Sequence, residues 1–154
     1  MRAAEDPVEK KLVRHARWGS RRAFLALISS YQGELSAVAR ILCPDGVLTI
    51  DPLMVGLGQL FMMMRRWTGR HIFRIELLKQ WIALLTPELS RGDPCAWRAI
   101  DRIDFDYRVA AVLSELPGLE YRELAVILGT SEGSAQSRVH EARLLLASAT
   151  EQHR

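Results

Sequence analysis

Apolar residues recur at spacings of three and four along nearly the whole chain, and this periodicity constrains the fold more than any other feature. The clearest stripe is formed by Ala135, Val139, Ala142 and Leu146, which fall on one helix face at about 100° per residue. No segment alternates polar and apolar residues over the length of a strand with turn dipeptides around it. The sequence therefore predicts an all-α protein.

Helix caps and helix breakers set the expected helix bounds. Ser20 and Ser131 are good N-caps, while Gly129 suits the left-handed residue that ends a helix. The predicted helices span about residues 8–17, 21–42, 53–64, 72–85, 106–116 and 121–128, with a last helix after residue 131.

The segment LMVGLGQLFMMM, Leu53 to Met64, has one polar residue among twelve. A bilayer needs about 20 apolar residues, so this segment predicts a buried or partner-facing helix instead. Gly56 and Gly58 each lower its intrinsic helicity by roughly 1 kcal/mol relative to Ala. Two such small residues permit a close helix approach.

Residues 87–105, PELSRGDPCAWRAIDRIDF, mix Gly, Pro and charge as a linker does. The sequence predicts two small helical domains, residues 1–86 and 106–154, joined by this linker. Asp101, Asp104 and Asp106 are expected to be solvated there. Their spacing lacks the glycine and the terminal Glu of a calcium loop, so no metal site is predicted.

The net charge of +3 is distributed unevenly. From Asp106 onward, five Arg stand against seven acidic residues, a net charge of −2, so the rest of the chain carries +5. Phosphate contacts normally come from clustered Lys and Arg, which here belong to the N-terminal part.

The sequence lacks the motifs that are typical of several function classes. No Gly-rich phosphate loop, Ser/His/Asp spacing or paired carboxylate motif is present, so neither an enzyme, a cofactor nor a small-molecule substrate is expected. The two Cys and four His show no metal-ligand spacing. The charged N-terminus has no apolar stretch of signal-peptide length, so a cytoplasmic protein without a membrane anchor is expected.

The C-terminal part has the layout of a helix-turn-helix, with a short GTS turn between two helices. The apolar stripe of the last helix directs Ser, Gln and Arg side chains outward, where they can meet base edges or phosphates in a major groove. The predicted DNA-binding residues are Ser131, Ser134, Gln136, Ser137, Arg138 and His140. Glu141 stands three residues after Arg138, a spacing at which it can pair with that arginine and repel phosphate.

Residues 116–146, LPGLEYRELAVILGTSEGSAQSRVHEARLLL, resemble region 4 of bacterial RNA polymerase sigma factors of the sigma-70 family, extracytoplasmic-function (ECF) group. The agreement includes the ILG and SEG stretches and the SR, H and AR positions that follow. Residues 18–42, WGSRRAFLALISSYQGELSAVARIL, are similar to the start of region 2. This chain departs from the family pattern at Glu120, Gln136 and Glu141, where the family carries serine or threonine, a lysine and an arginine.

The resemblance implies core RNA polymerase and promoter DNA as partners, with an anti-sigma factor as a further candidate. Region 2 is then expected to bind polymerase and the −10 element, and region 4 to read the −35 element. The segment TIDPLMVGLGQLFMMMRRW, residues 49–67, approximates the polymerase-docking segment of the family. Within it, Asp51, Gln59, Phe61 and Met62 are the predicted partner-binding residues.

Two other functions are compatible with the sequence. The acidic C-terminal part and the Met-rich segment would suit a sigma-like regulator that has lost promoter binding and works by protein contact, for example as an anti-sigma-binding mimic. A stand-alone helix-turn-helix repressor or activator is the third interpretation.

Overall fold

The computed structural model describes residues 6–43, 52–85 and 98–151, and the regular structure within these ranges is helical. In chain order the elements are α1 (Pro7–Arg17), α2 (Arg21–Leu42), α3 (Pro52–Arg66), α4 (Phe73–Leu84), a 3₁₀ helix (Ala99–Arg102), α5 (Phe105–Ser114), α6 (Tyr121–Leu128) and α7 (Glu132–Glu151). The predicted all-α fold is confirmed.

The helix start at Ser20 and the helix end at Gly129 lie where the sequence predicted them. The Ser20 hydroxyl accepts a hydrogen bond from the Ala23 amide at 3.2 Å and so caps the start of α2. Gly129 ends α6 with φ 64° and ψ 36°, a left-handed conformation in which a Cβ atom is unfavourable. The tight turn between α6 and α7 follows from that residue.

Trp81 of α4 is the largest side chain in the core of the N-terminal helices. It is 0% exposed, and its indole N–H donates to the Leu35 carbonyl at 2.9 Å. A Cβ on Gly56 would lie 3.1 Å from the Trp81 ring and 3.2 Å from Leu84, whereas a Cβ on Gly58 would meet nothing within 4 Å. Of the two glycines, Gly56 is therefore the one that permits α3 to approach α4.

The N-terminal half (α1–α4) and the C-terminal half (the 3₁₀ helix and α5–α7) pack against each other. Helix α2 contacts α5, and α4 contacts α6. One connected apolar cluster includes Phe73 and Leu78 from the first half and Leu113, Leu124 and Val139 from the second. The domain boundary at residues 87–105 stays a prediction, and residues 86–97 lie outside the described ranges.

The expectation of a solvated linker is wrong for Asp101. Its side chain is 4% exposed, and it forms ion pairs with Arg98 and Arg108, whereas Asp104 and Asp106 are exposed as expected. The physical reason is a long-range one, because Arg108 reaches Asp101 from α5 and buries it against the end of α2.

Candidate nucleic-acid interface

Helices α6 and α7 form a helix-turn-helix whose second helix is held by small residues. Ala135, Val139 and Ala142 are at most 1% exposed, and this stripe packs against α5 and α6. Because the stripe is narrow, the opposite face of α7 points away from the protein. Three members of the predicted core face are thus buried as the periodicity predicted, while the fourth, Leu146, is half-buried.

The structure brings the predicted DNA-binding residues together on the first turns of α7. Ser134, Gln136, Ser137 and His140 are exposed. Arg138 is half-buried, at the border between the outer face and the core. This surface is open in the described part of the chain, and its DNA contact remains a prediction.

Ser131 has a structural task in addition to the predicted one. Its hydroxyl oxygen accepts from the Ser134 amide at 3.2 Å and lies 2.9 Å from the Ser134 hydroxyl. The cap satisfies one of the four amides that the start of a helix leaves without an intrahelical partner. The remaining amides favour a phosphate at this end of α7.

Glu141 faces Tyr107 of α5 and not the arginine that sequence spacing suggested. A hydrogen bond from the Tyr107 hydroxyl to Glu141, together with the charge of that carboxylate, raises the pKa of Tyr107, and the nearby Arg138 acts in the opposite direction. Among the described residues no ion pair within 4.0 Å joins Arg138 to Glu141. The pKa of Tyr107 is thus influenced by an anion and a cation of α7, with the anion having the larger effect.

The other arginine on α7 is engaged elsewhere. Arg143 forms an exposed ion pair with Glu115 at 3.2 Å, across from the end of α5. Arg138 is therefore the arginine that lies among the predicted reading residues of α7.

Helices α1 and α2 carry several exposed Lys and Arg side chains, whereas α7 has only two arginines within its described length. Trp18 lies at the junction of these helices and is 87% exposed. The Arg17 guanidinium stacks 5.6 Å from the centre of the Trp67 ring. The exposed cations of this surface, called the basic face below, are Lys10, Lys11, Arg14, Arg17, Arg21 and Arg22.

The predicted partner-binding residues lie on α3. A groove of about 540 Å³ between α3 and α4 is lined by Gln59 and Met62, and Met62 is 48% exposed. Phe61 is half-buried, with its ring centre 5.1 Å from that of Phe24. Asp51 lies outside the described residues.

Two further features bear on partners and ligands. Within residues 6–43, 52–85 and 98–151, no helix is long and apolar enough to cross a bilayer. In the same ranges, no group of three or more His, Cys, Asp or Glu side chains could hold a metal ion.

Sequence reasoning missed Tyr107 and Trp18 as members of the surfaces that can meet a partner. Tyr107 reaches Glu141 from another helix, and no spacing within one helix reveals such a pair. Trp18 did leave a signal, since it stands among the cations of α1 and α2, but a tryptophan is more often buried than exposed.

Comparisons with known proteins bear on this geometry. Residues 94–146, which include the whole helix-turn-helix, match the family described as Sigma-70, region 4. The sigma-70 region 4 resemblance seen in the sequence is thereby confirmed for these residues, and the match supports a role in transcription initiation.

The whole chain has a known fold. Its structure is similar to that of CnrH in the complex of CnrH with the cytosolic domain of CnrY, with a TM-score of 0.74 and 18% identity. The similarity covers 94% of this chain and 98% of the other. No curated protein sequence matches the chain. Neither the family match nor the shared fold favours the alternative of a sigma-like protein without promoter binding.

Proposed function

We propose that the protein is an ECF-type sigma factor that directs core RNA polymerase to promoters whose −35 element is read by α7. One observation carries this proposal. The region 4 match falls on a helix-turn-helix whose second helix leaves Ser134, Gln136, Ser137 and Arg138 on an accessible face.

The side chains of α7 differ in the DNA groups that they can contact. Arg138 offers a fork of donors to a guanine edge or a phosphate, and Gln136 offers both a donor and an acceptor to an adenine edge. Ser134 and Ser137 suit phosphate or base contacts, while Ser131 orients the start of the helix. His140, one turn further on, is the last residue of this set that faces outward.

The N-terminal half supplies the contacts that α7 lacks. In this proposal the basic face meets promoter phosphates, because half of the exposed Lys and Arg of the described residues lie there. The groove between α3 and α4, with Gln59 and Met62 at its rim, docks on core polymerase. An exposed methionine suits such a surface because its side chain adapts to irregular partners.

An anti-sigma factor is a further proposed partner, and the cytoplasm is the proposed location. Support for the partner comes from the shared fold, since CnrH is bound to the cytosolic domain of CnrY. We propose that a protein domain of that kind binds this chain as well. Bacterial RNA polymerase works in the cytoplasm, where a sigma factor has to meet it.

The proposal is tested with purified core polymerase. The reconstituted complex is used to select promoter fragments from a genomic library, and transcription from the selected fragments is then measured. Arg138→Ala should lower promoter affinity by about 1 to 3 kcal/mol, a loss of roughly 5- to 150-fold, while polymerase binding is unchanged. Arg143→Ala is the matched control, because this arginine lies on the same helix and pairs with Glu115.

Two results would contradict the proposal at different points. If every selected promoter were transcribed equally well with Arg138→Ala, α7 would not read DNA. If the chain failed to bind core polymerase at all, the role in initiation through polymerase would be wrong.

A further inference from the structure

The end of α2 is capped by two later arginines, Arg98 directly before the 3₁₀ helix and Arg108 on α5. Arg98 donates to the carbonyls of Arg40 at 3.0 Å, Ile41 at 3.4 Å and Cys43 at 2.8 Å. Arg108 of α5 donates to the carbonyl of Leu42 at 3.0 Å.

These four carbonyls belong to a helix terminus that has no intrahelical donors left for them. The negative end of the α2 dipole also favours cations at this place. The two arginines satisfy both needs at once. The end of α2 is thus completed by side chains that follow it in the chain by more than 50 residues.

Asp101 holds the two arginines in position. One of its carboxylate oxygens lies 2.7 Å from an Arg98 nitrogen and 3.7 Å from an Arg108 nitrogen, and its other oxygen accepts from Arg98 Nε. Asp101 is 4% exposed and Arg108 is 1% exposed. Burial lowers the pKa of Arg108, and the charge of Asp101 opposes that shift.

We propose that Arg98, Asp101 and Arg108 form a catch that holds the two halves closed on each other and that releases as one unit. A buried ionic cluster adds little net stability compared with apolar packing, but it fixes one geometry, because a displaced member leaves a buried charge without compensation. Once water reaches the cluster, each of its charges can be solvated. The cluster lies beside the apolar contact between the halves, so opening has to separate both.

The catch leaves the outer face of α7 accessible, so it does not act by covering that face. It fixes the distance and angle between the N-terminal half and α7 instead. A protein whose two halves contact different sites at the same time has to adjust this distance and this angle. This consequence rests on the proposed function, whereas the catch itself is tested on the free protein.

The test uses small-angle X-ray scattering on the purified full chain, with circular dichroism as the measure of helix content. Asp101→Asn removes the charge that positions both arginines. Arg98→Gln removes the guanidinium that donates to the α2 carbonyls, at a side chain that is less buried than Asp101. We expect the wild type to have a radius of gyration of about 15 Å, as a compact chain of this length does. Both variants should show a larger radius with the helix content retained.

Glu34→Gln is the matched control. Glu34 accepts two hydrogen bonds from Arg74, at 3.0 and 3.1 Å, in an arginine–carboxylate fork within the N-terminal half. This variant should keep the radius of the wild type. The proposal is overturned if Asp101→Asn and Arg98→Gln stay folded with an unchanged radius. Loss of helix content in both variants would also overturn it, because the cluster would then support the fold and not the relation of the halves.

A second measurement connects the catch to polymerase. If only the open state binds core polymerase, the apparent affinity is reduced by the fraction that is closed. Arg98→Gln should therefore bind core polymerase more tightly than Glu34→Gln does. Opening without tighter binding would leave the catch in place and would contradict a closed state that excludes polymerase, whereas the proposed function fails only if the wild type does not bind core polymerase.

Discussion

At the scale of single residues, Glu141 shows how one side chain tunes the candidate DNA surface. It stands where the family carries an arginine, and it accepts a hydrogen bond from Tyr107 beside Arg138. A carboxylate at this position repels an approaching phosphate and so weakens the contact of its neighbours.

Glu141→Gln should therefore raise promoter affinity. An exposed charge of this kind is worth about 0.2 to 1 kcal/mol, so the gain should be roughly 1.5- to 5-fold. The measurement is promoter binding by the polymerase complex at low salt, and Glu151→Gln at the far end of the same helix is the control. Unchanged affinity would mean that Glu141 lies outside the DNA contact.

Tyr31 joins three helices of the N-terminal half. Its hydroxyl donates to the Glu9 carboxylate at 3.0 Å, and its ring packs edge-on against Phe73. Burial, followed by the charge and hydrogen bond of Glu9, raises the pKa of Tyr31. The folded state therefore keeps the phenol proton at a pH where the unfolded chain loses it.

This shift predicts a loss of stability in alkali. The contribution is fully present below the unfolded pKa of about 10 and is lost as the pH rises above it toward the folded value. The free energy of unfolding, measured with urea between pH 8 and about 11, should fall less steeply in Tyr31→Phe than in the wild type. Tyr121→Phe, at an exposed phenol, should follow the wild type. Parallel curves for Tyr31→Phe and the wild type would contradict the assignment.

At the scale of elements, α3 shows that the effect of a helical glycine on stability depends on what surrounds it. Gly56 and Gly58 lie two residues apart in one helix, and both lower its intrinsic helicity. A Cβ on Gly56 would lie 3.1 Å from the ring of Trp81, which is fully buried and donates to the Leu35 carbonyl. Gly58 faces open space.

The two alanine substitutions should therefore change the stability of the protein in opposite directions. Gly58→Ala should stabilise the protein by about 0.5 to 1 kcal/mol, because the helix gains and nothing is displaced. Gly56→Ala should destabilise it by about 1 kcal/mol or more, since the cost of overpacking, about 1 to 3 kcal/mol, exceeds that gain. Chemical denaturation of both variants gives the comparison. A stabilising Gly56→Ala would show that α4 can shift away from α3.

At the scale of the whole molecule, charge is divided between the halves in a way that costs some stability. Arg21 and Arg22 occupy the first turn of α2, which contains no acidic residue. The positive end of the helix dipole disfavours each of these cations by about 0.3 to 1 kcal/mol. Local structure gives no reason for them, so a partner of negative charge is the better explanation.

Replacing both arginines by Gln should change two quantities in opposite directions. Thermal stability should rise slightly, while the slope of log binding constant against log salt for promoter DNA should become shallower by about 0.9 for each phosphate that the protein no longer neutralises. Arg122→Gln on α6 is the control, because that arginine pairs with Glu120 at 2.8 Å. An unchanged slope in the double variant would remove the basic face from the DNA interface.

The sequence by itself determined what depends on near neighbours. Helix periodicity, the Ser20 and Ser131 caps and the turn at Gly129 are set within a few residues, so the all-α fold and the outer face of α7 could be predicted. The family resemblance rested on the same local pattern. Each of these features is encoded at short range, which is why one sequence sufficed.

Only the tertiary structure decided which distant groups meet. Asp101 has the sequence context of a solvated linker residue, but Arg108 buries it against the end of α2, and Glu141 has the spacing of a partner for Arg138, but Tyr107 takes its hydrogen bond. Whether Gly56 or Gly58 is the close contact depended likewise on where Trp81 lies. Burial and charge pairing are properties of packed surfaces, and a surface exists only once helices from both halves have come together.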